Sequence, residues 1–341
     1  MRIKGVTYDT GFINGGVSTK EIFDEVQVAR EMRIIRRDLN CNGVRITGGD
    51  ADRLERAAWL AAREGLEVWY CPFTCNLNRE ELKDFLLDAA TRAARILGQG
   101  YPVVFVTGSE VSLFTKGFFS DLDLNDRIDV LKDPARLREK VPEVRKRLRA
   151  YFAAVIPLIR KRFPGTITYA ALPFEAVDWT LFDIIATDGA YRNASNASSY
   201  RDSIRRFACQ GKPAAITEFG CATYAGAGDH PGYGLWNIEW EQGRPLRMNG
   251  RFVRSETEQA NYITALLDIF QAENVDAAFV TSFASWHLPH RQDSLYDLDM
   301  ASYAIVKVGS DQDTLTYPGM DWEPKESFRA LAAWMPVNTS G

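Results

Sequence analysis

The chain is 341 residues long, 46% hydrophobic and 25% charged, the balance of an ordinary globular protein with a sizeable core. Its formal net charge of −4 argues against a phosphate-tracking surface, so no nucleic-acid partner is expected. No stretch approaches the roughly 18 apolar residues of a membrane span, so no membrane partner is expected either.

In chain order, the first residues, Met1-Arg2-Ile3-Lys4-Gly5-Val6, read as a strand and not as a secretion signal. Five cysteines without a disulfide-framework pattern fit a reducing compartment, and a cytoplasmic location is the expectation. Short β-rich runs recur at 3–8, 43–46, 66–71, 103–107, 167–172, 182–187, 214–217 and 277–283. They are rich in Val and Ile with few charges, as in a parallel sheet covered on both faces. Between them, 53–63, 80–97 and 258–270 carry apolar residues at the three- and four-residue spacing of amphipathic helices. The basic run Arg145-Lys146-Arg147-Leu148-Arg149 lies in another helical stretch and reads as its solvated face. Eight strand–helix units predict an α/β fold, a single-domain (β/α)8 TIM barrel over 1–336 with a short tail at 337–341. The connections after strands 4, 7 and 8 are long, notably 120–135 and the glycine-rich 221–254, and such loops in a compact domain are usually functional.

In a barrel of this kind the C-terminal ends of the strands form the active face. Strand 4 ends on Glu110 in Val-Val-Phe-Val-Thr-Gly-Ser-Glu, and strand 7 ends on Glu218 in Ala-Ala-Ile-Thr-Glu-Phe-Gly. Two glutamates in different surroundings can divide the work of glycoside hydrolysis, one protonated to release the leaving oxygen and one ionised to attack. Strand 1 ends in Asp9, strand 2 carries Arg45, strand 6 leads to Asp188 and Tyr191, and strand 8 leads to Trp286 and His287. Trp69, Phe114, Tyr191, Tyr224, Tyr233, Trp236, Trp240 and Trp286 also fall near strand ends. Such rings suit the C–H faces of a sugar, although about half of them would serve core packing instead. The expected ligand is a carbohydrate or a glycosylated small molecule.

The histidines, His230, His287 and His290, fall in the last two loops, form no helical pair and have no counterpart on the early strands. Neither a metal nor another cofactor is expected. Lys4 and Lys212 lie at the N-terminal ends of their strands, away from the face where a Schiff-base lysine would work.

This set of residues resembles the clan A retaining glycoside hydrolases, a superfamily of (β/α)8 barrels. The resemblance implies Glu110 in Gly-Ser-Glu as acid/base and Glu218 in Ile-Thr-Glu-Phe-Gly as nucleophile. It further implies that Arg45 keeps Glu218 ionised, that Tyr191 hydrogen-bonds it, and that Trp286 floors the sugar subsite. With Asp9, Ser109, Asp188, Trp236 and His287 these form the expected substrate-binding set. The run Pro324-Lys325-Glu326-Ser327-Phe328-Arg329-Ala330-Leu331 is similar to the family's closing helix. One position departs: the family's Asn before the acid/base is Ser109, whose hydroxyl is shorter-reaching and lacks the paired donor and acceptor of an amide. Two outcomes stay open, a hydrolase of altered specificity and a degenerate barrel that binds carbohydrate or a partner without turnover.

Overall fold

The computed structural model of the chain describes residues 1–309 and 315–335, and the expected tail at 337–341 lies outside them. The eight expected strands form as β1 (Ile3–Asp9), β2 (Gly43–Gly48), β3 (Glu67–Pro72), β4 (Val103–Ser109), β5 (Thr166–Ala170), β6 (Ile185–Thr187), β7 (Ala214–Phe219) and β8 (Ala277–Val280). All pair in parallel, in the order β5-β4-β3-β2-β1-β8-β7-β6. A parallel bridge between Ala171 and Thr187 brings β6 back to β5 and completes a (β/α)8 barrel.

Around it run α1 (Glu25–Arg37), α2 (Ala51–Arg63), α3 (Arg79–Gly98), α4 (Leu124–Lys132), α5 (Pro134–Arg160), α6 (Tyr200–Ala208), α7 (Glu256–Ala272) and α8 (Glu326–Ala333). Side-chain caps start most of them: Asp24, Asp50, Asp123, Asp133 and Ser255 each accept from an N-terminal amide, and Asn78 forms a capping box with Glu81. Each cap contributes on the order of 1 kcal/mol. The helices and the outer strand faces bury one apolar shell, while Ile3, Trp69, Val104, Val106, Ile184 and Phe279 fill the barrel interior. Trp69 packs against Phe279 at 4.8 Å between ring centroids, tilted by 55°, so this ring is barrel floor and not mouth. The floor demands glycine at position 5, where a Cβ would lie 2.5 Å from the Phe279 ring.

Three connections differ from expectation. The stretch 120–135 contains α4, which starts on the Asp123 cap. No α-helix links β5 to β6, only a 3-10 turn at Trp179–Leu181. The loop after β7 carries a two-stranded hairpin, Ile238–Glu241 with Arg244–Met248. Near the C-terminal end of β4, the β4–β5 register shifts between Val106 and Ser109, with Gly108 at φ 103°. A bulge of this kind re-aims the side chains that follow it, here Ser109 and Glu110.

Candidate active site

Glu110 follows the bulge in a left-handed backbone conformation, φ 48° and ψ 41°. Such a conformation costs a non-glycine residue about 1–3 kcal/mol and persists only where its surroundings fix it. The Glu110 N–H donates to Ala170 O at 3.0 Å, and the one-turn helix Val111–Phe114 closes back onto Glu110 O. The Tyr169 hydroxyl accepts from Val111 N at 2.8 Å and donates to Glu175 at 2.8 Å. The Glu175 carboxyl also accepts from Ser112 N at 3.2 Å and Leu172 N at 2.8 Å. Glu175, buried in the loop after β5, thus braces the turn that presents Glu110.

Glu218 sits on β7, and its Oε1 accepts from the Tyr191 hydroxyl at 2.5 Å. Carboxylate oxygens of Glu110, Asp188 and Glu218 lie within 4.8 Å of one another. Arg45 reaches in from β2, 2% exposed. Its Nη1 donates to Thr217 O at 2.9 Å, and its Nη2 donates to Ser109 Oγ at 2.9 Å and Asp188 Oδ2 at 3.1 Å. Ser109 Oγ donates in turn to Asp188 Oδ2 at 2.6 Å.

This network bears on three of the expected residues. Ser109 is buried, and its hydroxyl is engaged by Arg45 and Asp188. Asp188 is fully buried and gives Oδ2 to Arg45, since a buried guanidinium left unpaired would be far costlier, while the carboxyl group stays within 4.8 Å of the two glutamates. Arg45 does not keep Glu218 low. Burial and the Asp188 charge push Glu218 up to about 7, against the opposing effects of Tyr191 and Arg45. Burial, then the charges of Glu218, Asp188 and Glu175, push Glu110 well above the usual carboxylate range. Both side chains keep partial solvent access at the mouth, so the ordering carries the argument: Glu110 holds its proton more tightly than Glu218.

The remaining expected residues are dispersed around the rim. Asp9 accepts from Gly11 N at 2.8 Å and from the Thr19 hydroxyl, so both oxygens shape the loop after β1. Trp286 has the Lys20 ammonium 3.4 Å from its ring centroid, and Lys20, itself buried, donates to the Tyr8 hydroxyl at 3.2 Å. Trp236 is 38% exposed and meets Tyr233 edge-on at 4.3 Å. His287 lies 6.4 Å from the Trp240 ring, and burial lowers its pKa to about 4. The histidines do not converge: His290 pairs with Asp297 at 2.9 Å and His230 packs on Tyr233 at 5.8 Å. Among the described residues, the three carboxylates at the mouth are the group close enough to share a metal ion.

Glu175 and Lys20 escaped the sequence reading. Neither sits at a strand end or in a motif, and each acts through the residue it supports.

No protein-family model and no curated protein sequence matches the chain. By structure it is similar to a GH113 β-1,4-mannanase, with TM-score 0.58 and 16% identity over 98% of this chain and 98% of that one. A GH113 β-mannanase from Alicyclobacillus acidocaldarius gives TM-score 0.56 and 16% identity over 97% of this chain and 96% of that one. A β-glucuronidase from Parabacteroides merdae gives 0.55 and 14%, over 97% of this chain and 37% of that one. At such identities the likeness is one of fold, and the chain has the (β/α)8 barrel fold of these glycoside hydrolases.

Proposed function

We propose that the protein is a glycoside hydrolase acting by retaining double displacement on a small glycoside or oligosaccharide, with 1–336 as a single catalytic unit. The observation that carries this reading is the approach of the Glu110 and Glu218 oxygens to within 4.8 Å. Retaining pairs stand about 5–5.5 Å apart, whereas inverting pairs leave about 6.5–9.5 Å for a water.

Glu110, the tighter proton holder, gives its proton to the glycosidic oxygen as the C1–O bond breaks and the electron pair leaves with the aglycone. Glu218, ionised and steadied by Tyr191, forms the new bond to C1 from the opposite face. Glu110, now a carboxylate, takes a proton from water. The water oxygen bonds to C1, the ester to Glu218 breaks, and both carboxyls return to their starting states. Trp286 would floor the sugar, with Trp236 and His287 at the rim and Asp9, Ser109, Asp188 and Arg45 holding the frame. Enzymes named as β-mannanases share the fold, which makes β-mannosides the first probes. A cytoplasmic site of action accords with five free cysteines. Among the described residues no helix is long and apolar enough to cross a membrane.

The test is labelling by a fluorosugar or epoxide inactivator together with the Glu218→Ala variant. Label on Glu218 and loss of turnover are expected; label elsewhere, or a fully active variant, overturns the assignment. One observation favours a second reading, carbohydrate binding without turnover: the Ser109 hydroxyl is engaged by Arg45 and Asp188. Binding of a sugar with no hydrolysis across a panel of aryl pyranosides and furanosides would establish it.

A further inference from the structure

The excursion after β7 is firmly rooted. Gly226 and Gly228 N–H groups donate to the Glu258 carboxylate at 2.8 and 2.9 Å, and Gly234 N–H donates to the Tyr303 hydroxyl at 2.9 Å. From there it touches four other loops of the catalytic face. A Cβ on Gly232 would lie 3.6 Å from Tyr191, in the loop after β6. Trp236 receives the Lys132 ammonium of α4, after β4, at 5.3 Å from its ring. Trp240 faces His287, after β8. At the hairpin tip Arg244 pairs with Glu21, after β1, at 3.1 Å, and a Cβ on Gly243 would lie 3.9 Å from Val17.

The contacts to the β4 and β1 loops both fall within 236–244, and β4 and β1 flank β7 on opposite sides of the barrel. This segment therefore runs across the mouth. Phe12 after β1, Phe73 after β3 and Phe114 after β4 form a triangle with centroid separations of 4.7, 5.2 and 5.1 Å. Their loops are tied together by Asn76 Nδ2 donating to Asn14 Oδ1 at 3.2 Å. The two glutamates, at the ends of β4 and β7, thus lie beneath strand-end loops that are bridged by 236–244 and joined by the Phe triangle. The interior of a polymer can lie only in a groove open at both ends.

We infer that the protein acts on glycan termini and small glycosides, and that 236–244 is a strap that excludes internal linkages. This rests on the hydrolase reading and names its substrate class. The test uses the full chain and a variant in which 239–247 is replaced by a short Gly-Ser turn, keeping the buried anchors Ile238 and Met248. Reducing-end-labelled β-1,4-mannohexaose and cellohexaose are digested and the product lengths followed in time.

Single terminal units are expected from the parent. The shortened variant, its folding checked by circular dichroism, gains internal cuts about tenfold while kcat/KM on nitrophenyl glycosides stays within about twofold. Mixed internal products from the parent overturn the inference, as does a folded variant with an unchanged pattern. If the variant does not fold, the parent's products decide. Nitrophenyl glycosides test the hydrolase reading separately. Where no hexaose is cleaved, calorimetry decides: affinities for the disaccharide and hexaose within about threefold uphold a closed mouth, and a rise of about a hundredfold with length, or no disaccharide binding, overturns it.

Discussion

Two buried clusters in this barrel use the same residue types and hold their protons differently. Around Arg45, one guanidinium faces the carboxyl groups of Glu110, Asp188 and Glu218. Behind the loops after β7 and β8, Arg254 meets Glu256 and Asp299 at 2.8 Å and Asp297 at 3.1 Å. Lys325 adds a contact to Asp299 at 2.8 Å and Lys307 one to Glu256 at 3.3 Å. In that second cluster three cations meet three carboxylates. Although burial pushes Glu256 up, its bond to Arg254 holds it well below the usual range, and burial likewise pushes Asp297 up while His290 and Arg254 bring it below its ordinary value. At the mouth cations are in deficit, and burial and mutual repulsion keep Glu110 and Glu218 high. A balanced cluster fastens loops, whereas a cation-poor one retains a proton that chemistry can use.

The most damaging way to break this contrast is to remove the retained proton. Glu110→Gln should slow hydrolysis of alkyl glycosides by roughly 10²–10⁴-fold, and activated aryl glycosides less, as steady-state kinetics across leaving groups will show. Next comes the balanced cluster. Asp299→Ala leaves Arg254 and Lys325 short of a partner and should cost about 3–5 kcal/mol in urea denaturation, with the pH profile of kcat/KM unmoved. Asp188→Asn should destabilise less, because it also relieves the repulsion at the mouth. It should lower the acid limb of kcat/KM, expected in the parent near pH 7 for Glu218, by about one unit.

A smaller effect separates the brace from the site. Burial raises Glu175 from 4.5 to about 7, so between those pH values the folded chain binds more protons than the unfolded chain. The stability Glu175 contributes is complete below about pH 4.5 and is lost as pH rises through about 7. Gln cannot titrate, so the stability of the parent relative to Glu175→Gln should fall between pH 5 and pH 8, by on the order of 1 kcal/mol. The smallest expected effect is that of a chelator. Exhaustive EDTA treatment should leave turnover unchanged; loss with EDTA and recovery with zinc or manganese would place an ion among the three carboxylates.

The architecture was legible in the sequence because each strand is a short Val- and Ile-rich run and a barrel gathers strand ends on one face. That logic marked Glu110, Glu218, Tyr191, Arg45, Asp188 and Ser109, which the structure brings together. It could not say which carboxylate Arg45 would take, since Arg45 and Asp188 are 143 residues apart and the choice depends on packing across the interior. Glu175 and Lys20 act through Tyr169 and Trp286, and spacing carries no trace of such indirect contacts. The helix α4 did leave a signal in its Asp123 cap and its buried Arg127 and Val130, three apart.

The barrel has a seam. Between β5 and β6 the crossover is a single 3-10 turn, and beside the Ala171–Thr187 bridge the next backbone bond is the Asp188 N–H to Ala171 O at 2.9 Å. Asp188 therefore holds the last joint of the closed sheet with its backbone while its side chain is tied through Arg45 to β2 on the far wall. Parting the joint would draw this carboxylate away from its guanidinium, so local opening at the seam is opposed by an ion pair anchored across the lumen. Mechanical closure and the electrostatics of the mouth then rise and fall together, and amide exchange at the seam becomes a readout of the site's charge.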